Sequence, residues 1–81
     1  MDLRSFAEYL VKSIVKEPDM VKVQEFGGEE GTTILEIIVH ESDMGLVIGR
    51  GGKMANAIRT IIQANAYILG KAKVNVNFDS F

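Results

Sequence analysis

The chain has 81 residues, 47% hydrophobic and 25% charged, enough for one globular domain with a small core and too few for a deep cleft between lobes. Cysteine is absent, which excludes disulfides, thiolate metal sites and a cysteine nucleophile, and no apolar run approaches the ~20 residues of a membrane span. The net charge of −2 is unevenly spread: residues 1–43 hold four basic and ten acidic side chains, whereas residues 44–81 hold Arg50, Lys53, Arg59, Lys71 and Lys73 against Asp79 alone, so one part of the surface can attract phosphate while the whole stays mildly acidic.

The opening Met-Asp-Leu-Arg-Ser-Phe lacks a basic-then-apolar leader pattern, and a soluble cytoplasmic protein is expected. Leu3, Phe6, Ala7, Leu10, Val11, Ile14 and Val15 follow the spacing of an amphipathic helix, with Asp2 as its cap and Glu17-Pro18 as its stop. Val21 and Val23 alternate with polar neighbours as a strand. A five-residue link containing Glu29 and Glu30 turns the chain into a second strand over 32–40. That strand carries Leu35, Ile37 and Val39 on one face and Ile34, Glu36 and Ile38 on the other, so it is expected to be central or covered. A short helix over 44–48 follows, capped by Ser42 or Asp43, then Gly49-Arg50-Gly51-Gly52, then a long helix from Lys53 to Leu69 stopped by Gly70. Ala72, Val74, Val76 and Phe78 alternate with polar residues as a third strand. The order helix-strand-strand-helix-helix-strand predicts an α+β fold with a three-stranded mixed sheet and helices on one face. The last strand lies parallel to the middle one because a two-helix crossover joins them.

The glycine segment carries the chemistry. Each glycine costs about 1 kcal/mol in a helix relative to alanine, and a single one would suffice for a turn. Three in four positions imply that something approaches the bare backbone, where helix-start amides and the charges of Arg50 and Lys53 favour an anion. Nucleotide loops fail on spacing. A Walker A loop needs glycine at Val47 and Ser or Thr at Met54, and a dinucleotide fingerprint needs Gly or Ala at Met54.

Val47-Ile48-Gly49-Arg50-Gly51-Gly52, flanked by two helices in a strand-to-strand frame, resembles the GXXG motif of the KH domain. The preceding helix and strand are similar to the type II arrangement, and the likeness runs over residues 1–81 as one KH domain. It is closest in character to the small bacterial stand-alone KH proteins of the KhpA family. The resemblance implies binding of single-stranded RNA. Gly49, Arg50, Gly51 and Gly52 would hold the backbone, Lys53 would support it, and Val47, Ile48 and Ile38 would lie at or below the groove floor. Arg59 is placed either to reach phosphate or to salt-bridge along its own helix. Leu46, where many KH motifs are basic, and the scarcity of aromatic platforms beyond Tyr67 and Phe81 point to weak, low-specificity binding of the kind an RNA regulator or chaperone uses.

On the long helix, Ala55, Ile58, Ile62, Ala66 and Leu69 are expected to pack on the sheet. Met54, Ala57, Ile61, Ala64 and Ile68 are left over. Either the first helix covers them or they form a homodimer interface, and the resemblance implies homodimers and heteromers with a larger KH-containing protein. His40, Glu41 and Asp43 are too closely strung to converge on a metal, and His40 reads as a cap. The serines have no general base, so neither enzyme chemistry nor a cofactor is expected. Two rivals stand beside RNA binding: a protein–protein scaffold acting through the Ile61 stripe, and a helix-turn-helix DNA reader, which needs polar base-reading residues along a second helix that here supplies mostly Ala and Ile.

Overall fold

The computed structural model describes residues 1–71 and 73–81; Ala72, expected at the start of the third strand, lies outside them. Helix α1 spans Leu3–Lys12, and the Asp2 carboxylate accepts from Ser5 N–H at 2.7 Å. That hydrogen bond holds the Asp2 pKa below the ordinary carboxylate range, so the cap acts above the usual carboxylate pKa and is lost as pH falls through the depressed value. Leu3, Ala7 and Val11 are buried.

The helix ends five residues before Glu17, short of its expected stop. Ser13 Oγ donates back to Leu10 O at 2.6 Å, and the N–H groups of Ile14 and Val15 both turn onto Val11 O. Ile14 and Val15 still cover the core from this turn, which is why the apolar spacing outlasts the helix. The chain is then drawn off by Asp43, whose buried carboxylate accepts from Lys16 N–H at 3.2 Å and Glu17 N–H at 3.0 Å. Asp43 therefore does not cap the following helix with its side chain. His40 caps that corner instead, with Nδ1 accepting from Ser42 N–H at 3.1 Å.

Strands β1 (Lys22–Gly27) and β2 (Thr33–Val39) pair antiparallel, from Lys22 opposite Ile38 to Gly27 opposite Thr33. After helices α2 (Met44–Ile48) and α3 (Lys53–Ile68), strand β3 (Val74–Ser80) pairs parallel with β2, from Thr33 opposite Val74 to Val39 opposite Ser80. The order β1-β2-β3 makes β2 central, as its two-sided apolar pattern predicts. Val23, Leu35, Ile37, Val39, Val74 and Val76 face the helices and join Leu3, Ala7, Val11, Val47, Ile58, Ile62 and Ala66 in one core. Gly70 ends α3 as expected: Lys71 N–H reaches Ala66 O at 2.8 Å and Gly70 N–H reaches Tyr67 O at 3.1 Å, the two bonds of a Schellman motif. Leu69 sits at this cap half out of the core, not packed on the sheet.

Removing the Asp43 carboxylate leaves two backbone donors from the α1 exit without acceptors. Asp43→Ala is expected to lower unfolding free energy by about 2–3 kcal/mol and Asp43→Asn, which keeps one acceptor, by roughly half that. Urea denaturation followed by far-UV circular dichroism measures both.

Candidate nucleic-acid interface

Helix α2 closes with Gly49 N–H on Gly45 O at 2.9 Å, and the chain then reverses in the turn Arg50–Gly52. Gly49 has φ 73° and ψ 178°, a combination open only to glycine. A Cβ there would stand 2.7 Å from Met54 Cβ and 2.9 Å from Met54 N. Gly51 (φ 60°) and Gly52 (φ 77°) are also left-handed, but a Cβ on either would meet nothing within 4 Å. The first glycine is thus demanded by packing inside the protein. The other two are demanded by the turn alone, and their backbone borders open space.

Gly52 places no side chain over the start of α3, and the first turn of that helix contains no acid. Arg50 and Lys53 are exposed, and neither has an ion-pair partner among the described residues. Three other cations are paired: Arg4 and Lys12 both meet Glu8, at 3.2 and 3.6 Å, and Lys71 meets Glu25 at 3.1 Å. Gly52 N–H is turned onto Gly49 O at 3.3 Å and Lys53 N–H onto Arg50 O, so it is the side-chain-free backbone of Gly51 and Gly52, the helix start and two free cations that suit this corner to an anionic backbone. No pocket is present among the described residues, so contact there would be made on an open surface.

The remaining expected contacts divide. Ile48 is half-buried beside the loop and packs on the core. Val47 is fully buried, so it supports the site from beneath and touches no ligand. Ile38 alternates with the buried Ile37 and Val39 and therefore stands on the sheet face away from the helices, which the loop does not share. Arg59 is committed to β3: Nε donates to Val76 O at 3.1 Å, Nη1 donates to Asn56 Oδ1 at 3.2 Å, and Cζ lies 5.2 Å from the Phe78 ring centroid. Among the described residues it forms no salt bridge along its own helix. Gln63 Nε2 likewise donates to Val74 O at 3.3 Å. Because residue 59 meets 76 and residue 63 meets 74, α3 runs antiparallel to β3, and Phe78 lies toward the loop end. Sequence reading took Phe78 as one more apolar position of a strand; alternation marks its face but not which helix end it adjoins.

Met54, Ala57, Ile61, Ala64 and Ile68 are all exposed, Ile61 at 45% and Ile68 at 79%, so α1 does not cover this stripe.

The family model for the KH domain of KhpA/KhpB matches residues 4–78. The chain is 49% identical over 59 residues to the RNA-binding protein KhpA of Borreliella burgdorferi, covering 73% of this chain and 71% of that one. It is 45% identical over 64 residues to the protein of the same name in Clostridium perfringens, covering 79% and 84%. Those relatives are named as RNA-binding proteins, not as enzymes. In fold it is similar to Era crystallised with MgGDPNP and nucleotides 1506–1542 of 16S ribosomal RNA, with TM-score 0.62 and 24% identity over 99% of this chain and 31% of that one. Aquifex aeolicus Era bound to GDP.AlF4- gives TM-score 0.60 and 21% identity over 100% of this chain and 32% of that one. The chain thus spans about a third of each Era chain.

The two kinds of glycine are expected to respond differently to substitution. Gly49→Ala should cost about 3 kcal/mol, from backbone strain plus the clash with Met54. Gly51→Asp should cost about 1 kcal/mol, because aspartate tolerates the left-handed region and meets open space. Thermal and urea unfolding of the two variants test the difference.

Proposed function

The chain belongs to the KhpA/KhpB KH-domain family, and from that premise we propose that it binds single-stranded RNA through the Gly49–Gly52 loop. The observation that carries this reading is the coincidence of open backbone at Gly51 and Gly52 with the unpaired cations Arg50 and Lys53 at the start of α3. The loop takes the phosphates of a few nucleotides, Ile48 lies beside it as apolar support for bases, and Val47 holds the corner in place from the core. The protein acts as a single KH domain in the cytoplasm, by occupying RNA and not by chemistry. With two or three phosphates met on an open surface and no aromatic stack among the loop residues, binding is weak and tolerant of sequence, as suits a regulator or chaperone of RNA. A DNA-reading helix has no such support: the exposed stripe of α3 is Ala57, Ile61 and Ala64, and its polar Asn56, Thr60 and Gln63 are bonded within the chain.

Fluorescence anisotropy with short labelled single-stranded RNAs should give binding whose log–log salt slope is about −1.5 to −2. An Arg50→Asp, Gly51→Asp double variant, confirmed as folded by circular dichroism, should not bind. Equal binding by the variant would overturn the loop as the clamp.

A second activity, self-association, is favoured by the stripe Met54, Ala57, Ile61, Ala64 and Ile68, which nothing in the monomer covers. We place a homodimer interface there, and a heteromer with a larger KH-containing protein would use the same side chains. Sedimentation equilibrium should find twice the 8.9 kDa chain mass for the wild type and the single mass for Ile61→Asp. A monomeric wild type at ~100 μM, where even a weak standard interface is populated, would count against it.

A further inference from the structure

We propose that Arg59 is a positioning residue: it fastens the loop end of α3 to the edge of β3 and serves RNA binding through the placement of the loop, not through a phosphate contact of its own. The proposal rests on the RNA reading above. Arg59 is the other cation on α3 beside Lys53, and charge alone would enrol it as a third phosphate ligand. Its contacts assign it elsewhere. One planar guanidinium is held by three groups at once: Val76 O at 3.1 Å, Asn56 Oδ1 at 3.2 Å, and the Phe78 ring with its centroid 5.2 Å away. Such a fork is pre-organised and loses less freedom per bond than a flexible ammonium would.

The three partners lie where a brace is needed. Lys73 O accepts from Thr33 N–H at 2.8 Å, so the odd-numbered carbonyls of β3 turn toward β2 and the even-numbered ones face outward at the sheet edge. Val76 O is one of these edge acceptors. Asn56 belongs to the first turn of α3, whose amides and Lys53 form the loop corner. Gln63 repeats the bond one turn further along, to Val74 O at 3.3 Å. The helix is thus pinned to the strand at two points, and Arg59 is the pin nearer the loop. Lys53 lies six residues upstream, about 9 Å along the axis, so a small tilt at Arg59 displaces the loop amides that receive phosphate. The bound Val76 carbonyl also leaves less of β3 open to an added strand.

The test compares Arg59→Lys, Arg59→Gln and Phe78→Leu with wild type, each checked by circular dichroism. It measures anisotropy with labelled single-stranded RNA at several potassium chloride concentrations and amide spectra of the free proteins by NMR. A lysine keeps the charge but cannot span Val76 O and Asn56 Oδ1 together. The proposal therefore expects Lys and Gln to weaken binding by a similar factor, about tenfold, with the wild-type salt slope retained. Gly51 and Gly52 amide resonances should shift in both, without RNA. Phe78→Leu, which leaves the Arg59 charge in place, should act in the same sense more mildly, and it carries the test if the Arg59 variants do not fold. Arg59 is instead a phosphate ligand if Lys binds as wild type while Gln lowers the slope magnitude by about 0.7. Unshifted loop amides in all variants also overturn the proposal. If wild type itself binds no RNA, the functional reading fails, and the loop amides alone decide whether Arg59 positions the loop.

Discussion

The parallel pairing of β3 with β2 sets the terms for everything else in this chain. Two parallel strands cannot be joined by a tight turn; the chain must travel back along the sheet before it can start the second strand in the same direction. The 16 residues of α3 do this. At about 1.5 Å per residue they cover ~24 Å, close to the ~23 Å of a seven-residue strand. The return leg must begin beyond the C-terminal end of β2, so the reversal from α2 into α3 is forced to that end of the sheet and into a tight space. Gly49 is the solution: it abuts Met54 with room for a hydrogen and no more. The loop corner is therefore a consequence of sheet topology first, and that topology leaves the side-chain-free backbone of Gly51 and Gly52 facing open space.

How a mildly acidic protein can meet a polyanion follows from which of its charges are spent. Exposed ion pairs such as Arg4–Glu8 and Lys71–Glu25 add about 0–1 kcal/mol each to stability. Their larger effect is to cancel field: a paired lysine offers little to a phosphate one Debye length away. Arg59 has its donors engaged by neutral groups on β3 and Asn56, so it keeps its charge without a carboxylate partner. Arg50 and Lys53 stand beside it without an ion-pair partner, in a stretch where Asp79 is the one acid after residue 43. Ten of the eleven acids lie in residues 1–43, so a negative net charge and local attraction at the loop do not conflict.

The sequence disclosed features set by local rules. The Asp2 cap, the Gly70 stop, the two-sided apolar pattern of a central strand and the crossover that forces parallel pairing all depend on near neighbours or on chain connectivity. What stayed hidden depends on partners far along the chain. Asp43 read as a cap because Asp before a helix usually is one; its bonds to Lys16 and Glu17 span 27 and 26 residues. The early end of α1 is the other side of that same contact. Arg59 read as a surface cation because nothing nearby says that an edge carbonyl of β3 lies within reach, 17 residues on. Ile38 read as groove floor because alternation tells which residues share a face without telling on which face the loop stands. The uncovered stripe on α3 is legible as surplus, since the apolar arc is wider than one sheet face requires; that α1 does not use the surplus depends on how α1 packs, which the spacing does not carry.

The geometry of α3 also bears on whether association and RNA binding interfere. At about 100° per residue, Met54, Ala57, Ile61, Ala64 and Ile68 all project within roughly 40° of the direction opposite Arg59. Arg59 faces β3. The stripe and the strand-facing flank are thus on opposed sides of one helix, and a partner laid along the stripe leaves the β3 side uncovered. The two surfaces meet at Met54, whose side chain begins the stripe and whose backbone N and Cβ abut Gly49. A partner that covers Met54 touches the residue that fixes the loop's entry, while the Cα faces of Gly51 and Gly52 border open space. On this geometry a neighbour laid along the stripe would leave the loop backbone uncovered.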